Sequence, residues 1–253
     1  VCPSATHARV MAEQQPIDTP PVAWIVMPSG VDASRYSSAP PWASRSKRVG
    51  YWSSPDRGIH HLLRVWPQVI ERVRDAELHI YYGVDKLLQY ADADDIGSMV
   101  GEVQWIARVL RDQLRDAGKS VHVHGALSRT QLAQEQMQTR VMAYPFDPIC
   151  FTEGFGVSIL ESLAAGCRVV ARPDDALLEI YDGAVRWVPA RVCDEEWEQW
   201  FADEVADALY MGGCVPWHPH TKRIVAEHTW DESARALDRA LRVPTRGMEA
   251  VAA

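Results

Sequence analysis

From Val49 onward, β-rich runs alternate with stretches of helical spacing, and this alternation narrows the possible folds more than any other feature. Val49–Ser53 reads as a strand, followed by Gly58–Val73, where Leu62, Leu63, Trp66, Ile70 and Val73 recur on one helical face. Ala76–Gly83 reads as a second strand, Ile96–Ala117 as a longer amphipathic helix, and Val121–His124 as a third strand. Ser128 is placed to cap a helix over Arg129–Thr139, since its hydroxyl can accept from a free first-turn N–H. Strand Val141–Pro145, helix Phe155–Ala165 with Gly166 at its left-handed end, and strand Arg168–Ala171 follow. A short helix at Ala176–Tyr181, a strand at Val185–Val188 and helices at Glu195–Tyr210 and Ser233–Val243 complete the pattern.

Strands joined by crossover helices imply an α/β fold: a Rossmann-like, doubly wound parallel sheet, here with closing C-terminal helices. Ligands of such sheets bind outside the carboxyl ends of the strands, so the loops after Ser53, Gly125, Pro145 and Ala171 are the places to look for function. The 253 residues suffice for a sizeable core and allow one large domain or two small ones. Residues 1–46, rich in Pro, Ser and Ala, read as a remnant and connector with one β-like run at Val22–Met27. Residues 47–212 read as the main domain and 213–253 as a helical segment and tail.

Charge and cysteines exclude several classes. The net charge of −8 argues against nucleic acid and against a polybasic membrane anchor. Val22–Met27, the longest apolar stretch, is too short for an integral membrane segment, and no signal-peptide pattern opens the chain. Cys2, Cys150, Cys167, Cys193 and Cys214 are odd in number, scattered and without a C-x-x-C pair, which points to reduced thiols and a cytoplasmic location. Asparagine is absent and the basic residues are 22 Arg and 4 Lys, a bias of genome composition.

The segment Cys150–Ala171 is the richest in chemistry. A loop after a strand delivers Glu153 and the Gly154–Phe155–Gly156 turn to the start of a helix. Glycine permits close backbone approach, and the unpaired first-turn N–H groups favour an anion such as phosphate. Glu161, eight residues after Glu153, returns to the same side a little over two turns later. Two carboxylates beside a phosphate cradle suit a nucleotide-sugar. The plainer reading is a helix-capping Glu153 and a solvated Glu161, but apolar Ile159, Leu160, Leu163 and Ala164 around Glu161 call for a partner to its carboxylate.

Glu153-Gly-Phe-Gly, Glu161 and the following Ala-Ala-Gly-Cys-x-Val-Val-Ala together resemble the Glu-x7-Glu signature of retaining GT-B glycosyltransferases, in the broad family 4 group. The resemblance extends from about Val26 to Asp231. Met27-Pro-Ser-Gly-Val-Asp32 resembles the lead into the donor-binding domain, with Ser29 where Asn is usual. Val49–Gly58 resembles the first strand and loop of that domain, and His122-Val-His-Gly125 with Ser128 and Leu132 the turn that meets the base. Leu177–Ile180 with Asp182-Gly183, and His228-Thr-Trp-Asp231, resemble the segments that follow.

The resemblance implies the C-terminal half of a GT-B fold, with a nucleoside-diphosphate sugar as donor substrate, no cofactor and no metal. It implies catalytic roles for Arg57, as the phosphate-gripping cation, and Glu153, at the transferred sugar. Glu161 would bind ribose hydroxyls, and the backbone of Gly154, Phe155, Gly156 and Val157 the phosphate or sugar. Gly125, Ala126 and Leu127 would line the base pocket. The second basic residue usual in the first loop falls at Tyr51, so Ser53 and Ser54 are the expected substitute donors. The acceptor, a glycan, lipid or protein, stays open. An acceptor-binding N-terminal domain is missing from the sequence, and Val1 reads as a cut end. The alternatives are a nucleotide-sugar-binding module without turnover, and a sugar-nucleotide epimerase, against which the two glutamates argue. His122 and His124 share a strand face, but no third ligand lies nearby in sequence, so a packed or exposed pair is the favoured reading. Trp52, next to the phosphate loop, is the one tryptophan of the ten to watch.

Overall fold

The computed structural model describes residues 1–15, 24–92, 100–147, 153–173, 175–188, 195–210 and 220–242. Cys150, Cys193, Cys214, Asp94, His218, Val243 and the first two residues of the Val22–Met27 run lie outside these.

Six parallel strands form one sheet: β1 (Arg48–Tyr51), β2 (Glu77–Tyr81), β3 (Val121–Gly125), β4 (Val141–Tyr144), β5 (Arg168–Ala171) and β6 (Arg186–Trp187), in the order β3-β2-β1-β4-β5-β6. This confirms the doubly wound α/β class. Every residue of β4 and β5 is buried, because helices cover both faces and leave no polar side to an interior parallel strand. The edge strand β3 instead carries half-exposed or exposed side chains. Helices α2 (Ile59–Arg72), α4 (Val100–Asp116) and α8 (Glu195–Tyr210) pack on one another in one layer. Helices α5 (Arg129–Gln138) and α6 (Val157–Ala164) pack together in another. The strand order reverses between β1 and β4, which places the crevice at their carboxyl ends.

The regular elements match their sequence signals to within a few residues, and the departures have local causes. α5 begins where expected because Ser128 and Gln131 form a reciprocal capping box. α6 begins at Val157 rather than Phe155, because Gly156 adopts a left-handed φ of 71° and the amides of Phe155 and Gly156 bond the Glu153 side chain. α10 (Trp230–Arg242) starts a turn earlier than Ser233, with Thr229 Oγ1 accepting from Glu232 N at 3.2 Å. Three helices carried no readable period: α1 (Ala5–Glu13) buries no residue, and α3 (Val84–Leu88) and α9 (Thr221–Glu227) bury one each. Within Val22–Met27 the described residues show a single bridge, between Val26 and Cys2, instead of a strand.

Residues 24–46 pack closely on the sheet domain. Arg45 donates to the carbonyls of Pro40, Thr139 and Ala165, and Tyr36 is buried against α5. Trp42 is covered by the guanidiniums of Arg140 and Arg168, at 4.8 and 3.7 Å from its ring centre. Near the other end of the segment, Val31 bridges Thr229, and Ser233 Oγ donates to Pro28 O at 2.6 Å. Two motifs some two hundred residues apart in sequence are thus joined.

Candidate functional site

The site is built at the crevice predicted by the strand order. After β1 the chain turns through a short 3-10 segment, Pro55–Arg57, and enters α2 at Gly58. Gly58 has φ 99°, and a Cβ there would stand 2.2 Å from Pro145 O. Glycine is therefore required for the turn and for its contact with the end of β4. This contact brings Arg57 to Glu153: Arg57 Nη1 lies 3.1 Å from Glu153 Oε2, and both side chains are largely buried. Asp56 is a further neighbour of Arg57, at 3.7 Å.

Glu153 joins four groups. Its Oε2 accepts from Arg57 and from Tyr144 Oη at 3.1 Å, and its Oε1 accepts from Phe155 N at 3.3 Å and Gly156 N at 2.9 Å. The capping role weighed from the sequence is realised, and the same amides and guanidinium also show what the pocket is polarised to receive: an anionic oxygen. Beyond Glu153, the first turn of α6 presents the N–H groups of Val157 and Ser158 without intrahelical partners. Phe155 places its ring in the core, between Tyr181 and His228, so it faces the crevice through its backbone alone. Gly154 lies under the N-terminal segment: a Cβ there would meet His7 Nδ1 and Pro3 Cγ, each at 2.9 Å.

Tyr51 is wholly buried and donates to Ser54 O at 2.7 Å, so it shapes the loop rather than pointing out of it. Ser53 Oγ donates to Tyr144 Oη at 3.2 Å, and Ser54 Oγ donates to Asp56. Both hydroxyls thus hold the loop and its charged residues in place. Trp52 is buried too, and its Nε1 donates to Ser158 O and Ser162 Oγ, which pins α6 to the end of β1.

Glu161 is largely withdrawn from water, and burial pushes its pKa up. Its Oε2 accepts from Gln136 Nε2 at 3.4 Å, and Gln136 Oε1 accepts from Tyr36 Oη at 2.9 Å. Gln136 is completely buried. The Gly125–Leu127 turn follows β3 and leads into the α5 capping box. Gly125 has φ 70°, with open space where a Cβ would be, and Leu127 packs against the core.

Sequence reasoning missed Tyr144, Gln136 and Tyr36. Tyr144 reads as an ordinary strand residue, and the other two are polar groups whose partners lie far away in sequence. Arg172, just past β5, was missed as well; it donates to Phe146 O and Asp147 Oδ1 at the same edge of the sheet.

A six-stranded parallel sheet in this order, with a helix start and a charged loop at its switch point, defines a Rossmann-like domain. Residues 47–210 match the family model described as glycosyl transferases group 1, and the chain belongs to that family. It is 27% identical over 172 residues to phosphatidyl-myo-inositol mannosyltransferase of Mycobacterium tuberculosis, and equally to that of Mycobacterium bovis. Those matches take in 64% of this chain but only 38% of the relatives' length. Among solved structures, the fold is similar to that of a GtfA/B complex (TM-score 0.65, 15% identity, 95% of this chain and 44% of that one). It is also similar to Anabaena HepE in complex with UDP and glucose (TM-score 0.60, 15% identity, 85% and 55%). No helix among the described residues is long and apolar enough to cross a membrane.

Proposed function

We propose that this chain is the donor-binding part of a retaining glycosyltransferase, transferring a sugar from a nucleoside-diphosphate sugar to an acceptor hydroxyl. The observation that carries the reading is the Arg57–Glu153 pair at 3.1 Å, set at the N-terminus of α6, with Glu161 further along the same helix. Arg57 and the first-turn N–H groups of α6 receive the diphosphate. As the bond from the anomeric carbon to the phosphate oxygen breaks, negative charge grows on the leaving diphosphate, and these fixed positive groups stabilise it. With them in place, the donor site is read as needing no metal. Glu153 lies beside the transferred sugar, Glu161 accepts from the ribose hydroxyls, and the Gly125–Leu127 turn lines the base. The acceptor hydroxyl attacks the face that the diphosphate leaves, which retains configuration. The matched relatives are longer than this chain, and the acceptor side is assigned to a preceding domain.

Ligand-observed NMR with UDP, GDP, ADP and their sugars tests the reading. One nucleotide series is expected to bind the wild type and to bind Glu161→Ala more weakly. Absence of binding by every nucleotide would sink it. The purified chain is expected to bind donor but transfer little or no sugar, and robust turnover would overturn the half-enzyme part of the proposal.

A further inference from the structure

A second cluster lies on the outer two strands. In the parallel register His79 of β2 pairs with His122 of β3, which sets Glu77, His79, His122 and His124 together. His79 Nε2 is 3.3 Å from Glu77 Oε2, and His122 Nε2 is 3.9 Å from Glu77 Oε1. The ligand atoms of Glu77, His79 and His122 all lie within 4.8 Å of one another. Tetrahedral zinc with bonds of about 2.0–2.1 Å sets its donor atoms about 3.3–3.4 Å apart, so the three side chains would close inward on an ion.

Further observations point to an ion. His122 Nε2 is buried yet has no hydrogen-bond partner among the described residues. Behind His79, on the far side of its ring, His124 Nε2 stands 2.9 Å from Nδ1. A metal on Nε2 requires the Nδ1–H form, and His124 then accepts that proton's hydrogen bond, the arrangement in which metal-bound histidines are usually held. The cation beside the cluster, Arg48, is engaged by Glu135 at 3.1 Å, and Tyr81 Oη donates to the same carboxylate. Glu77 and His122 are 46% and 39% exposed, so an ion can enter and a water can take the fourth position. The cluster His60, His61 and Asp147 is less suited, because Arg64 contacts His61 and Arg172 contacts Asp147.

We propose that Glu77, His79 and His122 form a binding site for a divalent transition-metal ion of the zinc type, with His124 orienting His79. Carboxylate and imidazole donors suit zinc or cobalt(II) rather than magnesium or calcium. The ion ties the edge strand β3 to β2 and leaves the proposed donor site without a metal of its own. The inference is independent of the donor reading.

Untagged full-length chain, first stripped with chelator, is titrated with zinc chloride by calorimetry and with cobalt(II) by visible absorption. One equivalent is expected to bind, with the intense visible bands of four-coordinate cobalt and a rise in melting temperature on adding zinc. His122→Ala is expected to lose affinity by about tenfold or more and to lose the zinc-dependent rise. Glu77→Gln, which keeps size at a half-exposed position, gives the same comparison should His122→Ala fail to fold. No saturable binding by the wild type would overturn the site, as would binding and a melting-temperature rise that persist in the folded variants.

Discussion

Glu161 shows how the site sets function against stability. Its pKa is raised because burial disfavours the carboxylate, and the hydrogen bond from Gln136 offsets this only in part. A group whose folded pKa is raised adds stability at low pH, and that contribution is lost as pH rises through the folded value. Above that value the ionised Glu161 destabilises the ligand-free protein. Glu161→Gln, which can still accept from Gln136, is expected to raise the melting temperature at pH 7 while weakening nucleotide binding about 10–100-fold, the scale of lost charge-assisted hydrogen bonds. Calorimetry and thermal melts on one pair of samples check both directions. In the wild type, affinity is expected to fall as pH drops through the raised Glu161 pKa, at a higher pH than an ordinary carboxylate would give, and a flat profile there would contradict the ribose role. Cys167 offers a control on burial: desolvation pushes its thiol up to about 12, so it is expected to resist alkylation until the protein unfolds.

At the scale of elements, the turn from β1 into α2 and the start of α6 set the position of every charged group in the site. Gly58→Ala forces a Cβ against Pro145 O at a left-handed φ, so it is expected to cost more than about 1 kcal/mol in denaturant unfolding and to weaken nucleotide binding by displacing Arg57. Ser128→Ala removes half of the α5 capping box and is expected to cost about 1 kcal/mol, with any effect on binding confined to the neighbouring Gly125–Leu127 turn. Elements were legible in the sequence where one local signal sufficed: the Ser128 cap of α5, the apolar face of α2 and the buried strands β4 and β5. The Glu153, Gly154–Gly156 and Glu161 pattern was legible for the same reason, since spacing along one chain segment carries it. What stayed hidden depends on pairing between distant segments. The proposed partners of His122 are Glu77 and His79 on the adjacent strand, and Glu161 is held by Gln136 on another helix, which is in turn held by Tyr36 in the connector. A helix such as α1, with no buried face, leaves no period to read, although Ser4 and Glu179 fix its start through bonds to His7 N and to Ala5 and Thr6.

For the whole molecule, Val31 and Tyr36 of the connector share one core with the sheet domain. Trp42, Arg45, Arg140 and Arg168 interlock the segment with the chain before β4 and β5, while Pro3 and His7 approach Gly154 across the crevice. The proposed function requires that the crevice between the β1 loop, the α6 start and the Gly125 turn bind a nucleoside diphosphate. Backbone amide NMR during titration with the nucleotide that binds in the ligand-observed screen tests this directly. The largest shifts are expected at Ser53–Gly58, Gly154–Ser158 and Gly125–Leu127, and are expected to be markedly smaller in Glu161→Ala at the same nucleotide concentration. Shifts confined to other surfaces, or unchanged in Glu161→Ala, would contradict it.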